Sequence, residues 1–317
     1  MFNPVRARLF VNAIFILYVI AQVHDCFSYP MREQAPALYN FARHCEEPKA
    51  TRQSILTFVI PGLTGNLHSI RLKVMSCERK LYICGDIHGE LNHLVWKATH
   101  ELKISCADIL IAGDFGAGFG RPNSMDVRYR EVRTSLEAND ICLYTIRGNH
   151  DDPAFFDGIH DYERLHFLPD HHLIELCGKR IYPIGGAVST DIDLVDPLTR
   201  KSRRMKNDTH IRFGSSKRIW WADETPIQIT EGLPEVVDII VSHEAPLSFE
   251  PEPQREPHIR ESTWQQVLET RRYLDYILKT VKPPLWFYGH YHSHYEGFVN
   301  DTANRGLGIC EIVRIEG

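Results

Sequence analysis

Asp86 and His88 stand two apart in Gly85-Asp86-Ile87-His88-Gly89. On extended backbone that spacing puts both side chains on one side. A carboxylate and an imidazole so placed suit a hard-to-borderline divalent ion. Asp114 follows Gly113, and its two oxygens allow it to bridge. Asn149, after Gly148, offers a neutral carbonyl oxygen, and His243, His290 and His292 add imidazole nitrogens. These residues make seven ligands, and with Asp114 shared, each of two ions receives four. Two ions about 3.5–4 Å apart can share a hydroxide and polarise a phosphoryl oxygen. The chemistry expected is in-line attack on a phosphate ester, with charge on the non-bridging oxygens neutralised.

Each piece alone is ordinary. A Gly-Asp after a strand often leads into a helix, and a His-x-His at a strand end is usually a surface pair. What separates this chain is that five such pieces each follow a short apolar run. Leu81–Cys84, Asp108–Ala112 and Ile141–Ile146 read as buried strands, as do Arg180–Ile184, Val236–Val241 and Leu285–Tyr288. Helices are predicted at roughly Glu90–Leu102, Met125–Ala138 and Ser262–Val281. The first should turn Leu91, Leu94, Val95, Ala98 and Leu102 inward. This strand–helix–strand rhythm implies right-handed crossovers and a mainly parallel core sheet. The polar turns at the strand C-termini then fall along one edge.

With those segments in place, the chain resembles the calcineurin-like metallophosphoesterase superfamily, in its bacterial and phage type. The matching pieces are GDIHG (85–89), GD (113–114), GNHD (148–151), His243 within SHEAP, and GHYH (289–292). The resemblance implies an α/β sandwich, two central mixed sheets packed face to face and flanked by helices. It implies one ion on Asp86, His88, Asp114 and His292, and another on Asp114, Asn149, His243 and His290. The ions would be Mn, Fe or Zn, with Mn favoured. His150 matches the histidine that protonates the leaving oxygen, with Asp151 beside it as a second catalytic candidate.

The chain departs from the protein-phosphatase pattern in one place. Those members continue the second motif as Gly-Asp-x-x-Asp-Arg, whereas Ala117 and Gly118 stand here. Asp151 and Arg147 are the nearby substitutes for the missing carboxylate and phosphate clamp. A second source of cations is a cap-like insert at about 186–230. It carries Arg200, Lys201, Arg203, Arg204 and Lys206 before Trp220-Trp221-Ala222-Asp223-Glu224. Arg203 and Arg204 are therefore candidate substrate contacts, because a guanidinium forks onto phosphate oxygens. The tryptophans are read as structural.

The rest of the composition narrows the reading. The chain has 317 residues, 43% of them hydrophobic, with a formal net charge of -5. That balance gives no specific nucleic-acid signal. Eight cysteines without a C-x-x-C pair read as small hydrophobes of a reducing, cytoplasmic compartment. Residues 1–74 differ in character from residues 75–317. Arg6 and Arg8 precede the apolar run Leu9–Val23, which is nearer a signal-peptide core than a membrane span of roughly 20 residues. The stretch Val59–Leu67 reads as a turn-rich piece with no partner. The working domain is expected to be residues 75–317, with 1–74 as an extension outside the fold. The function expected is phosphomonoesterase action on a phosphorylated substrate of unknown identity. The alternatives are a phosphodiesterase or nuclease acting on nucleotides, and a metal-binding scaffold without catalysis.

Overall fold

The computed structural model describes residues 55–61, 67–73, 78–121, 123–195, 198, 200–204 and 220–316. The apolar run Leu9–Val23 and Lys206 lie outside these residues. The chain divides into two compact units, Met1–Ser76 and Cys77–Gly317. Within the first, β1 (Ile55–Pro61) pairs antiparallel with β2 (Leu67–Lys73), Ile55 opposite Lys73 and Pro61 opposite Leu67. Val59, Ile60, Pro61 and Leu67, read as part of a turn-rich piece with no partner, thus lie in two paired strands. Its first arm, Ile55-Leu56-Thr57-Phe58-Val59-Ile60, is rich in the β-branched and aromatic residues that favour strands.

The second unit is built on two six-stranded sheets. The first contains β3 (Lys80–Cys84), β4 (Ala107–Ile111), β5 (Ile141–Thr145), β6 (Asp161–Tyr162) and β7 (Leu165–Phe167). The second contains β8 (Ile174–Leu176), β9 (Lys179–Ile184), β10 (Ile239–Ser242), β11 (Leu285–Tyr288), β12 (Tyr295–Val299) and β13 (Thr302–Gly306). The final strand, β14 (Ile312–Arg314), returns to the first sheet beside β3. The strand orders are β14-β3-β4-β5-β7-β6 and β12-β13-β11-β10-β9-β8. The central pairs are parallel, and each sheet has antiparallel strands at its margins, so both sheets are mixed.

Alternation along the strands explains the layering. Leu81 and Ile83 of β3 and Leu110 of β4 share one apolar cluster with Ile181, Ile239, Val241 and Phe287 of the other sheet. That cluster is the middle of the sandwich. The opposite face of the first sheet packs on α1 (Leu91–Trp96) and α2 (Ser124–Ala138) through Leu91, Leu94, Val132 and Leu136. The outer face of the second packs on α3 (Glu261–Val281) through Leu274, Ile277 and Leu278. Burying each such side chain contributes about 1.5–3 kcal/mol. The first helix is shorter than expected, because it changes to a π-helical turn at Lys97–Glu101. That turn rotates Leu102 out of the predicted apolar face, leaving it exposed. Cys84, Cys106 and Cys310 are buried.

Candidate metal centre

Parallel strands end at the same edge, so the loops after β3, β4, β5, β9, β10 and β11 meet there. Asp86 and His88 follow β3, Asp114 follows β4, Asn149 and His150 follow β5, His243 follows β10, and His290 and His292 follow β11. The backbone is strained where it turns. His88, Asp114, His290 and His292 all have positive φ, between 46° and 68°. Each such residue costs of order 1–3 kcal/mol and clusters of them mark functional sites. Two glycines permit the approach. A Cβ on Gly113 would lie 2.3 Å from His243 Nδ1, and one on Gly148 would lie 2.1 Å from Asp114 Oδ1.

Asp86, His88, Asp114 and His292 place ligand atoms within 4.8 Å of one another. His88 Nε2 and His292 Nε2 are 2.9 Å apart, and His292 Nε2 is 3.2 Å from Asp86 Oδ2. Beside this group, His243 Nδ1 donates to the Ala112 carbonyl at 2.7 Å. That bond leaves the lone pair on Nε2, which faces Asn149 Oδ1 at 2.8 Å. His290 Nδ1 faces the same oxygen at 3.1 Å. Lone pairs that converge this way are held together by a cation or by a proton. The donors are oxygens and imidazole nitrogens without sulfur, which fits Mn, Fe or Zn. Asp114 divides between the two sets: Oδ1 is 3.5 Å from His243 Nε2 and Oδ2 is 3.7 Å from His88 Nδ1. Its Oδ1 also accepts from the His150 N–H at 3.0 Å.

The charges follow the same geometry. Burial alone would push Asp114 up, but His243, His150 and His88 outweigh it and hold the carboxyl low. Burial lowers His88 and His290, which keeps these imidazoles neutral and ready to ligate. For His243, burial lowers the pKa but Asp114 and Asp86 more than offset it. His292 is raised by its contact with Asp86.

The structure brings all seven expected ligands together, and two other expectations change. Asp151 does not face the site. Its carboxylate is wholly buried and accepts from the backbone N–H groups of Phe115, Gly116, Ala117 and Gly148. Arg147 is not a phosphate clamp. It is buried, paired with Asp170 at 2.7 Å, and donates to the carbonyls of Asp223, Glu224 and Thr225. Arg147→Ala is therefore expected to lower stability by about 3–5 kcal/mol, since Asp170 would keep a buried, unpaired charge. Denaturant midpoints test this; a raised KM with unchanged stability would restore Arg147 as a substrate contact. Arg203 and Arg204 are half-exposed and pair with Asp191 and Asp193. Asp191 lines the cleft that opens on the ligands, so of these two arginines it is Arg203 that is tied to its rim.

His150 lines that cleft too, with its ring 6.2 Å from His88 and 5.9 Å from Trp220. Trp220 and Trp221 are buried, as expected of structural tryptophans. The cleft measures about 720 Å³. Its lining also carries Glu250, Glu252 and Glu256, with Trp264, Arg271 and Tyr291. Sequence reasoning missed Glu244, whose Oε1 accepts from the Tyr291 hydroxyl while Oε2 lies 3.9 Å from His290 Nε2. A carboxylate directly after one expected ligand and a tyrosine directly after another was the available signal. Ser189 and Glu224, which carry the other contact to Asn149, were also missed.

The family model for calcineurin-like phosphoesterases matches residues 79–294. No curated protein matches the sequence. Among solved structures, a phosphopantetheinyl hydrolase from Mycobacterium tuberculosis is similar over 75% of this chain and 96% of its own, at 14% identity and a TM-score of 0.41. A 5'-nucleotidase-like protein from Staphylococcus aureus is similar over 74% of this chain and 50% of its own, at 12% identity and a TM-score of 0.35. GAP50, the anchor in the inner membrane complex of Plasmodium, is similar over 72% of this chain and 71% of its own, at 12% identity and a TM-score of 0.33. No helix among the described residues is long and apolar enough to cross a membrane.

Proposed function

Because the chain belongs to the calcineurin-like phosphoesterase family, we propose that it is a phosphomonoesterase that works with two divalent ions, Mn favoured, held by the seven ligands above. The observation that carries the second ion is Asp114, whose two oxygens turn toward different ligand sets. When bound, such a pair supplies an activated water and neutralises charge on the phosphoryl oxygens. The residues supply the rest. Asp114 and the positive-φ turns hold the donors in place. His150, at the mouth of the ligand set, donates a proton to the leaving oxygen. Residues 75–317 form the working domain, and the described part of the insert at 186–230 places Ser189, Thr190 and Asp191 on the cleft wall.

The cleft supports a small monoester over an extended nucleic acid. A polyanion leaving the metal site would meet the exposed carboxylates of Glu250, Glu252 and Glu256, and like charges repel. Turnover of p-nitrophenyl phosphate and of its bis-ester by the full chain with manganese tests this. The monoester should be faster by at least about tenfold, a difference of roughly 1.4 kcal/mol in barrier. A reversed preference would make the diesterase reading the better one. Manganese binding without turnover of either ester would leave the scaffold reading.

A further inference from the structure

We propose that Glu224 is a positioning residue of the metal centre, acting through Ser189 to decide which end of the Asn149 amide faces the ligands. This rests on the reading of Asn149 as a ligand. The Glu224 carboxylate accepts from the Ser189 N–H at 2.8 Å and from the Ser189 hydroxyl at 2.8 Å. A serine hydroxyl has one proton. With that proton given to Glu224, Ser189 Oγ can only accept from Asn149, and it does so from Nδ2 at 2.8 Å. The amide must then turn Oδ1 toward His243 and His290. Were the hydroxyl free to donate, the amide could rotate by half a turn and present its NH₂ group, which cannot ligate a cation.

The surroundings fix the relay in place. Ser189 and Asn149 are each 1% exposed, so water does not substitute for either partner. Glu224 is itself anchored, because its own carbonyl accepts from Arg147 Nη1 at 2.9 Å and from the Ala187 N–H at 3.1 Å. Arg147 sits one residue before the Gly148-Asn149-His150 turn. The insert is thus bonded to the third motif at two points, by Arg147 to its backbone and by the Glu224–Ser189 relay to the Asn149 amide. This is an outer contact that orients a ligand without touching the ion, and such contacts typically contribute about 10–100-fold in metal affinity.

The test compares Glu224→Gln, Ser189→Ala and Asn149→Ala with the unaltered full chain by manganese titration in equilibrium dialysis, with circular dichroism confirming the fold. Gln keeps the volume of Glu but offers one acceptor where two are needed. Glu224→Gln and Ser189→Ala should each weaken one of two manganese sites by about 10–100-fold and leave the other unchanged. Their kcat should recover at saturating manganese. Weakened binding in Asn149→Ala, with unaltered binding in the other two, would overturn the relay alone. Unaltered binding in Asn149→Ala would remove the ligand reading and the relay with it. A lowered melting temperature with both affinities intact would also overturn the relay, as would a kcat that stays low with both sites filled.

Discussion

Asp114→Asn should abolish most turnover while leaving the fold in place. The side chain is 1% exposed, and its carboxylate turns one oxygen toward each ligand set. Asn retains one carbonyl oxygen, so the bond from the His150 N–H survives and the second and third motifs stay joined. What it loses is the second anionic oxygen. Both ions should bind more weakly, and the charge balance at the reacting phosphate should shift by several kcal/mol, about three orders of magnitude in kcat. Two companion variants make the result diagnostic. His292→Ala should weaken only the ion on the Asp86 side, and His243→Ala only the ion on the Asn149 side. Manganese titration of all three separates a shared ligand from a private one. If Asp114→Asn weakened a single site, or kept more than about a tenth of the turnover, the bridging role would be wrong.

The candidate ligands could be read from the sequence because each lies within four residues of the end of a short apolar run. Buried strands announce themselves as such runs, and parallel strands end together. Position along the chain therefore stood in for position in space. The same logic failed for the outer contacts. Ser189 and Glu224 are 35 residues apart, and nothing local marks them as partners of Asn149. Arg147 failed for a related reason. A guanidinium beside an expected phosphate site looks like a clamp, but its partner Asp170 belongs to another loop, visible only once β7 and β9 are placed. Leu102 shows the reverse case. A 3.6-residue period predicts its side, yet a π-helical turn changes the phase within one turn of helix. The pairing of β1 with β2 was obscured because Pro61 and the glycines that follow it in sequence outweighed the strand-forming residues before them.

Asp151→Ala should cost more stability than any other single change at the site, and the reason lies in the backbone. One oxygen of Asp151 accepts from Gly116 and Ala117 at 2.7 and 2.8 Å, and the other from Phe115 and Gly148 at 3.1 and 2.8 Å. Removing the carboxylate orphans four buried donors. Each unsatisfied group costs about 1–3 kcal/mol, so a total loss of roughly 4 kcal/mol or more is expected. Asp151→Asn should fall between, since one carbonyl oxygen can serve two of the four donors while its NH₂ group opposes the rest. The pH dependence gives a second reading. In the metal-free protein burial first, and Asp114 second, push the Asp151 carboxyl up to about 6 from an ordinary 3.8. An acid whose folded pKa exceeds its unfolded pKa holds its proton longer when folded. The Asp151 contribution to metal-free stability should therefore fall as pH rises from about 4 to about 6 and level off above that. Asp151→Asn removes that slope. Urea unfolding at pH 4.5 and pH 7, without metal, measures both effects. If Asp151 were instead a reacting group, Asp151→Asn would alter the pH–rate profile with its unfolding midpoint intact. The four N–H bonds argue for the opposite pattern, in which the midpoint drops and the loss of activity follows from a loosened Asp114.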